Sequence, residues 1–226
     1  MKKITDEVYQ IGGSGLTDPE DAASYLIRFD GHAAVIDAGC GKSVGQLLKN
    51  IRACGVRPDQ VEYLLLTHCH FDHVGGAKTF RNKVRCQVVA HELDAPFLEK
   101  GDSTVTAATW YGSDMEPTPV DIRITRAQES LPLGDRTIEA IHIPGHSPGS
   151  LAYLFESGGL KVLFAQDVHG PLAPTLLSNE ADYQKSLRIL LSLEADILCE
   201  GHYGVFTGKD EVRKFILSFV EGDAEA

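Results

Sequence analysis

Apolar positions along the chain fall into short runs rich in β-branched residues, separated by turn-forming ones, at residues 8–11, 23–28, 33–37, 63–67 and 84–90. Runs of this length and composition predict strands. Between the third and fourth, Val44, Leu47, Leu48 and Ile51 recur at helical spacing within residues 42–53, and Gly55 and Pro58 supply the stop. The second half repeats the plan, with strands expected at 121–124, 137–143, 151–155, 161–164 and 197–199 and helices at about 180–193 and 210–219. Helices fall among the strands in both halves, a pattern that favours two sheets packed face to face and covered outside by helices. The periodicity fails at about 100–119, where Gly101, Gly112, Pro117 and Pro119 surround Trp110 and Tyr111. A segment this long without a pattern is usually functional or disordered. Its aromatic pair could wall a pocket or anchor the loop to the core. The tail, residues 221–226, is expected to fray.

Composition narrows the class. A chain of 226 residues, 43% hydrophobic, can bury a sizeable core as one domain over 1–226, with an irregular insertion at about 100–119. The formal charge of −11 and the lack of any Lys/Arg cluster exclude a nucleic-acid partner, which needs a basic stripe. No uncharged apolar run approaches the roughly 18 residues of a membrane span. The first residues turn acidic at Asp6 and Glu7 before a secretory signal could form. Five cysteines (Cys40, Cys54, Cys69, Cys86, Cys199), odd in number and without framework spacing, fit free thiols in a cytoplasmic protein. The expected partner is a small-molecule substrate. A homodimer is the base-rate expectation for the assembly.

The chemistry concentrates where the apolar run Tyr63-Leu64-Leu65-Leu66 ends and His68, His70, Asp72 and His73 follow. Side chains two apart share one side of an extended chain but lie about 200° apart around a helix, so His68 and His70 can share an ion only if the segment is extended or turning. Three histidines and an aspartate this close need a cation to hold them together neutral. Further donors stand where later strands end: His146 within Pro144-Gly145-His146, Asp167 after Val162-Leu163-Phe164, and His202 after Ile197-Leu198. Glycines beside two of them permit close approach of the backbone. Cys69 should turn its thiol away from its neighbours' ion, and Cys199 reads as a core thiol.

The His68, His70, Asp72, His73 pattern resembles the H-x-H-x-D-H motif of the metallo-β-lactamase superfamily. The resemblance extends to His146, Asp167 and His202, and to Asp37 closing an early strand. It implies an α/β fold, a four-layer αββα sandwich with two divalent metal ions at one edge, zinc first and iron or manganese as alternatives. By the same analogy His68, His70 and His146 hold one ion, Asp72, His73 and His202 the other, and Asp167 bridges them. Open positions on such ions accept water, whose pKa falls to about 7, and a shared hydroxide then attacks a carbonyl. Asp72 would orient the nucleophile and handle a proton, and Asp37 would fix an imidazole. His169 and Tyr203 are candidate proton donors.

The expected reaction is cleavage of an ester-like bond, thioester or lactone, as in glyoxalase II and the acyl-homoserine lactonases. The chain departs from both. Little sequence follows His202, where glyoxalase II carries a helical substrate-binding domain, and Gly170 stands where the lactonases have tyrosine. The alternative is an oxidoreductase similar to the persulfide dioxygenases, with a single iron at positions like His68, His146 and Asp167.

Overall fold

Strand β5 (Val61–Leu65) shows how the layers arise. Tyr63 and Leu65 face one buried cluster, while Leu64 and Leu66 face another, so the period of two divides one run between two cores. The same division recurs in the neighbouring strand, where Ala34 and Ile36 point one way and Ala33 and Val35 the other. A sheet buried on both faces must be covered on both.

The computed structural model describes residues 1–221. Its first sheet has seven strands in chain order: β1 (Lys2–Lys3), β2 (Val8–Gln10), β3 (Tyr25–Phe29), β4 (His32–Ile36), β5, β6 (Gln87–His91) and β7 (Ile122–Ile124). The first four pair antiparallel, and β4 to β7 pair parallel. The second sheet runs in spatial order β13, β12, β11, β10, β9, β8. Its strands are β8 (Gln128–Leu133), β9 (Arg136–His142), β10 (Leu151–Ser157), β11 (Leu160–Phe164), β12 (Ile197–Cys199) and β13 (Val205–Thr207). Here only β11 and β12 pair parallel.

Between the sheets lies a core that includes Tyr25, Leu65, Tyr153 and Phe164. Each such side chain, fully buried, contributes roughly 1.5–3 kcal/mol. Helices α1 (Val44–Ala53), α3 (Ala77–Val84) and α4 (Ala95–Lys100) cover the outer face of the first sheet. Helices α5 (Glu180–Ser192) and α6 (Lys209–Leu217) cover the second. The result is the expected αββα sandwich. Among the described residues no helix is long and apolar enough to cross a membrane. All five cysteines are free and buried, with Cys69 and Cys199 in the cores.

Several elements correct the sequence reading. Val84, expected to open a strand, instead ends α3, and β6 begins at Gln87. The short helix α2 (Phe71–Val74), together with α3, α4, β8 and β13, was not expected from periodicity. The 100–119 segment carries one turn of 3-10 helix at Ala108–Tyr111. Of the tail expected to fray, residues 222–226 lie outside the described residues.

Candidate metal centre

Strand ends converge on one edge of the sandwich, and each delivers a side chain there. Asp37 follows β4, residues 68–70 leave β5, His146 follows β9, Asp167 follows β11 and His202 follows β12. The backbone is still extended at His70 and then enters α2, which carries Asp72 and His73. Asp37 and Asp167 sit at φ 57° and 54°. This left-handed region is one that Asp tolerates better than most residues, and its use at a site marks a backbone held by its surroundings. Gly145 permits the approach of α5: a Cβ there would lie 2.2 Å from the Tyr183 nitrogen.

The donors form two groups. Ligand atoms of His68, His70, His146 and Asp167 all lie within 4.8 Å of one another, and so do those of Asp72, His73 and His202. Asp167 spans both. Its Oδ2 is 3.2 Å from His146 Nε2 and 3.7 Å from His68 Nε2, while its Oδ1 is 3.2 Å from His73 Nε2 and 3.3 Å from His202 Nε2. Asp72 Oδ2 lies 3.2 Å from His202 Nε2.

Hydrogen bonds behind the donors fix which ring nitrogen faces inward. Thr67 Oγ1 donates to Asp37 Oδ2 at 2.7 Å, so it accepts from His68 Nδ1 at 3.1 Å. His73 Nδ1 donates to the same Asp37 oxygen at 2.8 Å. His146 Nδ1 donates to the Pro171 carbonyl at 3.0 Å. One carboxylate thus sets an imidazole in each group, directly for His73 and through Thr67 for His68. A consequence follows for the inner atoms. His68 Nε2 and His146 Nε2, both left as lone pairs, face each other at 3.2 Å, and His70 Nε2, His73 Nε2 and Asp167 Oδ1 are buried without a hydrogen-bond partner. Lone pairs aimed together in a buried site are costly unless a cation lies among them. The donor set therefore fits divalent metal ions, imidazole and carboxylate being suitable ligands.

Electrostatics differ between the groups. Burial, then the neighbouring imidazoles, hold His68 and His70 well below the usual imidazole value, so both are neutral near pH 7. For His73 burial works in the same direction, but the Asp167 and Asp72 carboxylates outweigh it and raise the ring well above its usual value. His202 likewise overcomes burial through Asp167 and Asp72 and is raised to about 10. Without a cation this second group holds protons that a metal ion must displace.

The outer candidates lie close by. His169 Nδ1 bonds Glu200 Oε1 at 2.8 Å, and the other oxygen of this buried Glu200 accepts from the His202 and Tyr203 amides at 2.7 and 2.8 Å. Tyr203 is 62% exposed and meets the His169 ring at 4.8 Å between centroids. A cavity of about 250 Å³ opens onto His70, Asp72, Asp167, His169 and His202, with Trp110 and Tyr111 among its walls.

Sequence reasoning missed Asp94. Fully buried, it accepts from the Cys69 amide at 3.0 Å, from Ser147 Oγ at 2.7 Å and from the Gly149 amide at 2.7 Å. It ties the loop bearing His68 and His70 to the loop bearing His146. Its one local signal, an Asp just ahead of the short Pro-containing helix α4, resembles any helix start. The role of Glu200, holding His169 and the amides of residues 202 and 203, likewise appears only in the fold.

Comparison with known proteins agrees with this architecture. The family model for the metallo-beta-lactamase superfamily matches residues 17–202. An acyl-coenzyme A thioesterase of Gallus gallus, MBLAC2, is 33% identical over 211 residues, covering 80% of this chain and 72% of its own. A hydroxyacylglutathione hydrolase of Haemophilus influenzae, GloC, is 28% identical over 183 residues, covering 78% and 82%. Among solved structures, the Rm3 metallo-beta-lactamase superposes with a TM-score of 0.79 at 21% identity, over 96% of this chain and 89% of that one. Matched through most of its length, from before Asp37 to His202, the chain belongs to the metallo-beta-lactamase superfamily and is a hydrolase of that superfamily.

Proposed function

We propose that the protein hydrolyses acyl thioesters with two divalent ions, zinc in first place. His68, His70 and His146 would hold one and Asp72, His73 and His202 the other, with Asp167 placed between the two groups. The observation that carries this reading is the division of Asp167, one oxygen facing each histidine group. A single-iron oxidoreductase would leave the second group, Asp72, His73 and His202, without a purpose. An acyl-coenzyme A thioesterase among the relatives favours thioesters over lactones.

Bound there, divalent ions supply an activated water and polarise a carbonyl. The chain's own groups do the rest. Asp37 and Thr67 hold the His68 and His73 rings in the tautomer that presents Nε2 inward. Asp72, at the cavity and 3.2 Å from His202 Nε2, orients the attacking water and accepts its proton. His169, whose Nδ1–H donates to Glu200, keeps an Nε2 lone pair for the cavity, takes up there the proton that Asp72 received and passes it to the departing thiolate. Tyr203 packs on that ring. The small-molecule substrate enters past Trp110, and the protein works in the cytoplasm.

The test is a panel of thioester, lactone, β-lactam and phosphodiester substrates offered to the zinc-loaded protein. Thioester cleavage is expected to lead, and Asp72→Ala is expected to keep the fold while lowering that rate by orders of magnitude. Preference for another bond class, or unchanged turnover in the variant, contradicts the reading.

A further inference from the structure

Two cavities flank the donor groups, and Tyr111 and His202 belong to both. Apart from the donors and His169, the smaller one is walled by Ala107, Trp110, Tyr111, Pro171 and Leu176. Its roughly 250 Å³ compares with about 30 Å³ for one water in the liquid, so it has room for a short chain of heavy atoms. The larger cavity, about 450 Å³, differs in chemistry. Gln10, Ser14 and several glycines give it uncharged polar groups, and its charged lining residues besides His202 are Glu20 and Asp21, with no Lys or Arg.

The two carboxylates are not equivalent. Asp21 is buried in the wall, where Oδ1 accepts from the Cys40 amide and thiol at 2.8 Å and Oδ2 accepts from the Asp18 amide at 3.1 Å. These bonds hold the carboxylate in place at the cavity, and among the described residues it forms no salt bridge. Glu20 is exposed and engages Lys42, so that ammonium is already occupied. Away from the donor edge at His202, an anionic ligand entering here meets the Asp21 carboxylate and a Glu20 already engaged by Lys42, and no lining Lys or Arg receives it, whereas amides and ammonium groups find acceptors. The chain's net charge of −11 acts in the same direction at longer range.

We infer that the site is bipartite: a short apolar acyl group lies against Trp110, Pro171 and Leu176, and the arm beyond sulfur lies in the Glu20–Asp21 cavity. That arm is uncharged or carries an ammonium, and the site discriminates against phosphorylated carriers. The inference rests on the thioesterase reading for the position of the sulfur, while the charge selection stands on the cavity itself.

The experiment reads binding apart from turnover. Trp110 is the single tryptophan and lines the apolar cavity, so its fluorescence reports occupancy. Zinc-loaded protein is titrated with two thioethers that cannot be hydrolysed, S-hexyl-N-acetylcysteamine and S-hexyl-coenzyme A, at low and high salt. The neutral thioether is expected to bind at least tenfold more tightly at low salt, with the gap narrowing as salt rises. Glu20→Lys is expected to shift the ratio at least tenfold towards the coenzyme A ligand. Equal or tighter binding of the coenzyme A thioether by the unmodified protein overturns the inference. The corresponding hexanoyl thioesters are then offered as substrates: the expected binding order without cleavage of either would refute the thioesterase reading alone.

Discussion

Asp37 sits behind both donor groups, touching His73 directly and His68 through Thr67. Because it orients rings without being among the grouped donors, Asp37→Ala is expected to weaken zinc binding by about 10–100-fold. Competition with a chromophoric chelator measures this, and unchanged affinity would refute the orienting role. Gly201 tests the packing beside the bridge. A Cβ at this position would lie 2.7 Å from Asp167 Oδ1 and 2.7 Å from Gln166 Oε1, so Gly201→Ala must displace both. Zinc affinity is expected to fall more than about tenfold, by the same competition assay. Asp94 belongs to stability as well as to the site. Asp94→Ala leaves the buried Cys69 and Gly149 amides unpaired and leaves Ser147 Oγ only its Ser150 partner, with an expected loss of about 3 kcal/mol in urea unfolding. At this scale most of the donor set was legible, because His68, His70, Asp72 and His73 lie within six residues. Asp94 was not, since its partners are loop amides brought to it only by folding.

Elements with a strong period were readable, and those without were not. The helix at residues 180–193 stands in the structure as α5, ending one residue earlier, because Tyr183, Leu187 and Leu190 mark one face. Strand β12 matched at both ends. Helix α2 is a single turn and α4 holds six residues, too short for a 3.6-residue period to declare itself. Strand β8 exposes Gln128, Ser130 and Pro132 and buries only Leu131 and Leu133, too few apolar positions to show a period, and takes its place by pairing with β9. The ends of β6 and β9 bring His91 and His142 into a stack at 3.7 Å between centroids. Burial, then His142, lowers His91 to about 4, against about 6.5 in an unfolded chain. Below pH 6.5 the unfolded chain takes up a proton that the folded chain refuses, so this group's effect appears as pH falls from 6.5 to about 4 and vanishes above. It is expected to remove roughly 3 kcal/mol of stability by pH 4. His91→Leu is expected to flatten that part of the pH profile in urea unfolding, and a profile parallel to the unmodified protein's would contradict the assignment.

For the whole molecule, the layered order was legible in helices falling among strands in both halves and in the resemblance carried by the histidine motif, and the structure adds the reason: a run such as residues 63–66, apolar on both faces, needs a layer on each side. The order of strands within each sheet did not follow, because the sequence gives no register between distant segments such as β11 and β12. The candidate metal centre joins loops from both sheets, so divalent ions bound there are expected to stabilise the assembled sandwich by mass action. Stripping them with a chelator should lower the melting temperature, and zinc should restore it; an unchanged transition would separate the centre from the fold's stability. The central claim is that two ions, divided by Asp167, carry out hydrolysis. It is tested most directly by titrating chelator-stripped protein with zinc while following cleavage of a neutral acyl thioester. Activity reaching its plateau only as the second equivalent per chain is bound is the predicted result, and full activity at one equivalent, or in the presence of excess chelator, would contradict it.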